Sequence, residues 1–152
     1  MIFKNDLFMI KEISALETYP VRHPVLRNGK ALESCHFEGD EHETTKHFGY
    51  FENNELVAVA SLFESAIRSF HERHQFQIRG MAVLASWQKK GIGEKLMLHI
   101  ETELRSGKPI FLWFNARESA VGFYRKLGYE TLGNPFDIGD IGTHYIMCKK
   151  FA

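Results

Sequence analysis

The most specific chemistry that residue types and spacing suggest lies in Gln88-Lys89-Lys90-Gly91-Ile92-Gly93. This run joins an apolar strand beginning near Phe76 to an amphipathic helix. Such a join aims unpaired backbone N–H groups and the positive end of a helix at an anion above the strand. Glycines there allow positive φ and close backbone approach, so successive N–H groups form an anion nest. A phosphate-bearing cofactor suits that nest. The competing reading is a tight connection in which Gly91 and Gly93 only allow close helix–sheet packing and Lys89 and Lys90 are surface charges. Two familiar phosphate loops fit poorly: no G-x-x-x-x-G-K-[ST] string occurs, and Leu96 stands where a dinucleotide fingerprint needs its third glycine.

Other residues have chemistry to offer. His144 has an imidazole that titrates near neutrality and is a general-base candidate, as is the Glu38/Asp40 segment. Arg22 and Arg27 flank His-Pro-Val-Leu and suit the two-pronged grip of an acceptor carboxylate, although surface solvation is the commoner fate of such arginines. His36, His42 and His47 alternate with Glu38, Asp40 and Glu43, but no recognised ligand motif is present. A solvated loop is expected there, and no metal.

The elements that must position these groups follow from periodicity and turn chemistry. Phe8–Ile13 reads as a first strand, and Ser14 with Glu17 as the capping box of a short helix. Pro20 and Pro24 predict a broken or restarted helix ending by Asn28-Gly29. From Lys30 to His47 a loop is expected, with a short strand at Leu32–Phe37. HFGYFE and ELVAVASLF, separated by Asn53-Asn54, form a tight hairpin. Glu64–Gln75 is ambiguous between loop and frayed strand. Gly93, Leu96, Met97, Ile100 and Leu104 trace one face of a helix that Gly107 and Pro109 stop. Ile110–Phe114 reads as a strand covered on both faces, parallel to the one through Met81. A second helix turns Ala120, Phe123, Tyr124 and Leu127 inward and ends at Gly128. Tyr129–Leu132, Phe136–Ile138 and His144–Cys148 supply closing strands. The order predicts a mixed α/β or α+β sheet with helices packed on it.

Composition narrows the function classes. The 152 residues suit one domain, 1–152, with a substantial core, and 44% hydrophobic with 25% charged residues is ordinary for a folded soluble chain. Lys plus Arg equals Asp plus Glu at 19 each, so no net charge draws the chain to nucleic acid or to an anionic membrane. No apolar run approaches the length of a membrane span, and charges at Lys4, Asp6 and Lys11 interrupt the start, as no signal peptide would. Cys35 and Cys148 make neither a disulfide framework nor a metal cluster, which suits free thiols in a cytoplasmic protein. Thirteen Phe point to an aromatic core, or to an apolar surface suited to a homodimer.

The segment Asn115-Ala-Arg-Glu-Ser-Ala-Val-Gly-Phe-Tyr-Arg-Lys-Leu-Gly-Tyr129 adds a second motif in a fixed order after the first. Together, QKKGIG and this segment resemble the GNAT superfamily of N-acetyltransferases over roughly Phe76 to Phe151. The resemblance implies a mostly antiparallel central sheet with a splayed parallel pair, flanked by helices. It also implies acetyl-CoA as acyl donor, and a cofactor half at about 76–151 beside acceptor elements at about 1–75. Gln88, Lys89, Lys90, Gly91, Ile92 and Gly93 would then hold the pyrophosphate. Backbone donors of Met81, Ala82 and Val83 would hold the pantetheine and polarise the acetyl carbonyl. Asn115 would touch the pantetheine arm, its alternative being a helix N-cap with Glu118 three residues on. Tyr124 would protonate the leaving thiolate, since a phenol with a pKa of about 10 does so at little cost; packing beside Phe123 is its alternative. Where many members carry a carboxylate base, this chain has Gln77 and Arg79. His144 resembles a recurrent position near the acceptor and is taken as a catalytic residue. The activity implied is acetyl transfer to a primary amine of a small molecule or peptide by direct attack in a ternary complex. The alternative is a non-catalytic acyl-CoA-binding or regulatory module.

Overall fold

The computed structural model describes residues 7–67 and 74–152. Seven strands form one mixed sheet in the order β1-β2-β3-β4-β5-β7-β6. Contacts gather the chain into two compact units, 1–63 with 80–103 and 64–79 with 104–152.

In the first unit, β1 (Phe8–Ile13) leads through a 3-10 turn, Leu16–Thr18, into α1 (Tyr19–Leu26). The capping box forms as expected. The Ser14 amide donates to Glu17 Oε1 at 2.9 Å, and the Glu17 amide donates to Ser14 Oγ at 3.2 Å. The prolines do not break the helix. Pro20 lies in the first turn, where an N–H has no helical acceptor, and Pro24 forfeits only the bond to the Pro20 carbonyl. The expected strand at Leu32–Phe37 is instead a 3-10 turn over Leu32–Cys35.

The hairpin of β2 (Lys46–Glu52) and β3 (Glu55–Glu64) turns on Asn53 and Asn54 at φ +49° and +66°. Two consecutive positive φ values match the right-handed twist of the strands they join. β1 and β2 are antiparallel, with Ile10 opposite Tyr50 and Ile13 opposite His47. Ile13, Val21, Val59 and Ala82 form a buried cluster, with Val25, Leu26, Phe51, Leu56 and Leu84 packed on it. β4 (Gln75–Val83) contributes its second half to this unit and runs through the 3-10 turn Ala85–Trp87 toward α2 (Ile92–Leu104). α2 buries Leu96, Met97 and Ile100, the stripe its periodicity specified.

The second unit pairs the start of β4 with β5 (Ile110–Arg117) in parallel, from Gln75 opposite Phe111 to Gln77 opposite Trp113. A 3-10 turn, Glu118–Ala120, opens α3 (Val121–Lys126), and β6 (Glu130–Ile138) and β7 (Gly142–Phe151) follow. β6 joins the two segments expected as separate strands, with a register irregularity between Leu132 and Phe136. The helix face is narrower than the periodicity implied: Val121 is buried and Tyr124 half-buried, but Phe123 is 44% exposed. Adjacent positions project about 100° apart on a helix, and the inward stripe here takes Val121 and Tyr124 and leaves Phe123 outside it. Of the ambiguous Glu64–Gln75 stretch, residues 68–73 lie outside the described residues; Ser65 and Ile67 are tied to Gln75 by hydrogen bonds of 3.3 and 2.8 Å.

Candidate active site

The Gln88–Gly93 loop belongs to the first unit. The Gln88 side-chain amide donates to the Val83 carbonyl at 3.0 Å and folds the loop back onto the end of β4. Lys89 is held at φ +62° and Gly91 at φ +80°. Left-handed backbone costs a lysine about 1–2 kcal/mol, so the loop's shape is maintained against local preference. The Lys95 amide donates to the Gly91 carbonyl at 3.2 Å, which starts the helical ladder. The amides of Ile92, Gly93 and Glu94 precede that first bond and have no acceptor within the helix. The Ile92 side chain is buried and anchors this row of donors. Lys89, Lys90 and Gly91 are exposed.

The two glycines separate the competing readings. A Cβ on Gly91 or Gly93 would meet no heavy atom within 4 Å. Close packing of helix on sheet therefore explains neither. Gly91 is accounted for by its positive φ, but Gly93 has no such conformation. Its missing side chain leaves open space beside a row of unspent donors. The loop fits a phosphate-bearing group.

β4 reaches this loop through a distortion. Gly80 sits at φ +66° in mid-strand, just before Met81, Ala82 and Val83. Ala82 is buried, and Met81 and Val83 are half-buried. A Cβ on Gly80 would come within 2.8 Å of the Phe37 ring, so conformation and space both demand glycine there.

The second unit carries the other expected residues. Asn115 is exposed within β5, opposite Ile146 of β7. It is not a helix cap, because the strand continues two residues further, to Arg117. The Tyr124 ring packs on Phe114 at 4.5 Å and edge-on to Phe123 at 5.1 Å. Burial pushes its phenol above the ordinary range, so it remains protonated at neutral pH. His144 is buried on β7 opposite Arg117, with the Phe136 ring at 6.2 Å. Its Nδ1–H donates to the Gly142 carbonyl at 2.8 Å, which leaves Nε2 as the proton acceptor. Residues directly opposite across a ladder share a face, so His144 lies on the Asn115 and Arg117 face of the sheet. Tyr124 packs on the Phe114 face. The acid and base candidates thus occupy opposite faces of these strands.

Arg22 is not available to an acceptor carboxylate. It is fully buried, and its fork is spent on Asp40: Nη1 to Oδ2 at 2.6 Å and Nη2 to Oδ1 at 3.1 Å. Arg27 donates to the Ser34 and Leu26 carbonyls, both at 3.0 Å. The segment expected to be a solvated loop therefore supplies a buried carboxylate and is pinned to the sheet. Ser61 Oγ accepts from Arg22 at 2.9 Å and donates to His47 Nδ1 at 2.6 Å, while His47 Nε2–H donates to the Asp40 carbonyl at 2.9 Å. Among the described residues no group of three or more His, Cys, Asp or Glu is placed to hold a metal.

A family profile described as the acetyltransferase (GNAT) domain matches residues 29–145. The uncharacterized N-acetyltransferase YitI of Bacillus subtilis (strain 168) is 36% identical over 140 residues, spanning 92% of this chain and 94% of its own length. The ribosomal-protein-S18-alanine N-acetyltransferase from Escherichia coli shares the fold at a TM-score of 0.73 and 18% identity, covering 95% of this chain and 94% of that one. An aminoglycoside 6'-N-acetyltransferase complexed with coenzyme A superposes at a TM-score of 0.70 and 16% identity, covering 93% and 96%. The chain belongs to the GNAT superfamily of N-acetyltransferases and is an acyltransferase.

Proposed function

We propose that this chain transfers the acetyl group of acetyl-CoA to a primary amine of a small molecule or peptide by direct attack in a ternary complex. The observation that carries the reading is Gly93: neither packing nor φ requires a glycine there, and it stands in a row of amides without helical acceptors. A pyrophosphate held by Gln88 to Gly93 would use both features. That a fold neighbour was solved with coenzyme A is consistent with this.

In this reading the amides of Met81, Ala82 and Val83 hold the pantetheine and polarise the acetyl carbonyl, and Asn115 steadies the pantetheine arm. Tyr124, protonated at neutral pH, gives its proton to the departing thiolate. His144 accepts the amine's proton at Nε2, the nitrogen its bond to Gly142 leaves open. We read both units as one N-acetyltransferase domain, since the family profile spans parts of each. We also read it as cytoplasmic and working without metal, membrane or nucleic acid; among the described residues no helix is long and apolar enough to cross a membrane.

A thiol-release assay with acetyl-CoA against amino acids, polyamines, aminoglycosides and basic peptides tests the proposal. Amine-dependent release of free thiol is expected. Tyr124→Phe should lower turnover by about 10²–10⁴-fold, the usual contribution of a positioned acid, with acetyl-CoA affinity unchanged. Unchanged turnover would remove Tyr124 as the acid.

A further inference from the structure

The first unit contains a polar core that the reaction as described does not use. Arg22 on α1 is wholly buried, and its two Nη atoms donate to Asp40, to Ser61 and to the Cys35 carbonyl, the last at 2.8 Å. Asp40 Oδ2 also accepts from the Phe37 amide at 2.9 Å. These bonds fix the start and the end of the 35–40 loop. They deliver the Phe37 ring to one place. The Arg22 guanidinium lies 3.9 Å from the ring centroid, and that of Arg27 lies 5.1 Å from it.

The ring then occupies the space that a side chain at Gly80 would need. Arg22 Nε, 3.5 Å from the same Cβ position, is the one buried side-chain polar atom without a hydrogen-bond partner among the described residues. An arginine committed at four of its five donors, with the fifth left unpaired against β4, has been placed for its shape and rigidity as well as its charge. The backbone it presses on leaves the ordinary strand conformation at Gly80, one residue before Met81.

We propose that Arg22, Asp40 and Phe37 are positioning residues that hold β4 in its left-handed turn at Gly80 and so aim the Met81–Val83 amides at the acetyl carbonyl. This rests on the role assigned above to those amides. The cluster touches no reacting atom; it acts through the backbone. Misplacing such donors by a fraction of an ångström is costly, because stabilisation of a developing oxyanion depends on donor geometry.

Acetyl-CoA labelled with 13C at the acetyl carbonyl, bound to the protein without an amine, provides the test by isotope-edited infrared spectroscopy. In the wild type the thioester C=O stretch should move to lower frequency than in free acetyl-CoA. If it does not move, the role given to Met81–Val83 fails, and this inference with it. Phe37→Leu removes the planar ring but retains the Arg22–Asp40 pair. It should lose most of the frequency shift and reduce kcat by about tenfold, with the KM for acetyl-CoA within about twofold. A merely structural Phe37 would lower the melting temperature and leave both the shift and kcat of the folded fraction unchanged. A wild-type shift retained in folded Phe37→Leu would overturn the positioning role. If Phe37→Leu does not fold, Phe37→Met, which keeps the volume without the flat face, decides on the same two readouts.

Discussion

Two irregular, polar segments of the first unit use their hydrogen-bonding groups in opposite ways. Between Gln88 and Gly93 the backbone is bent against its preference, the helix-start amides have no helical acceptor, and the glycines border open space. Between Leu32 and His47 the chain is richer in charge, yet Asp40 and His47 turn inward while its other acidic and imidazole groups stay exposed. Asp40 receives two Arg22 nitrogens and the Phe37 amide, and His47 bridges Ser61 and the Asp40 carbonyl. A ligand site has donors without helical acceptors and open space beside them, whereas this scaffold has Asp40, His47 and every Arg22 donor but Nε committed to one another or to the chain. Charge density alone points to the wrong segment.

The largest expected effect comes from unbalancing the committed segment. Asp40→Ala leaves the Arg22 guanidinium buried without a counter-charge. Breaking one partner of a buried pair costs about 3–5 kcal/mol, a large share of a typical stability of about 5–15 kcal/mol. Urea denaturation should show the midpoint falling in that proportion with an unchanged slope. A loss below about 1 kcal/mol would mean that the pair is solvated, and the contrast between the segments would collapse.

The uncommitted segment should respond the other way. Gly93→Ala places a methyl group in open space at a residue whose φ is already acceptable. Stability should hold or rise by about 0.4–1 kcal/mol, because alanine restricts the unfolded chain. Acetyl-CoA affinity should fall by about tenfold, equivalent to about 1.4 kcal/mol, if the space belongs to a pyrophosphate. Calorimetric titration beside a thermal melt separates the two effects. A variant that is stabilised and binds as well as wild type would return Gly93 to a residue without a ligand role.

How much of this could be read from the residues depended on how local the cause was. The Asn53-Asn54 hairpin, the Ser14/Glu17 box and the α2 stripe arise from neighbours within a few positions, and each forms as its residues specify. The family motifs were equally legible, being short and in fixed order. The Arg22–Asp40 pair was not. Its partners stand eighteen positions apart, and an arginine between two prolines followed by a His- and Glu-rich stretch has the composition of a wet surface. One available signal was Gly80: a glycine in the middle of an apolar strand often marks a bulge or a close approach. The end of β5 was missed for a similar reason. Asn115 and Arg117 are exposed and polar, but β7 lies opposite and extends the ladder through them.

The acid limb of stability sharpens the same comparison with a smaller effect. Burial pushes the Asp40 carboxyl up, but hydrogen bonds from Arg22 and the Phe37 amide, with the charge of Arg22 on α1, outweigh it and hold the carboxyl below its ordinary range. β3 contributes only the neutral Ser61 to this cluster. A carboxyl whose pKa is depressed on folding stabilises the native state fully above its unfolded value, about 3.9. That contribution is lost as pH falls from there through the lower folded value. Below about pH 4 wild type should therefore lose stability more steeply than Asp40→Asn, which has no proton to take up at this site. The gap between their urea midpoints should stay constant from pH 7 to about pH 5 and narrow below pH 4. The Gln88–Gly93 loop contains no carboxylate, so Gly93→Ala should follow the wild-type limb throughout. A gap between wild type and Asp40→Asn that is independent of pH would mean that the carboxylate charge of Asp40 does no more for the fold than its shape.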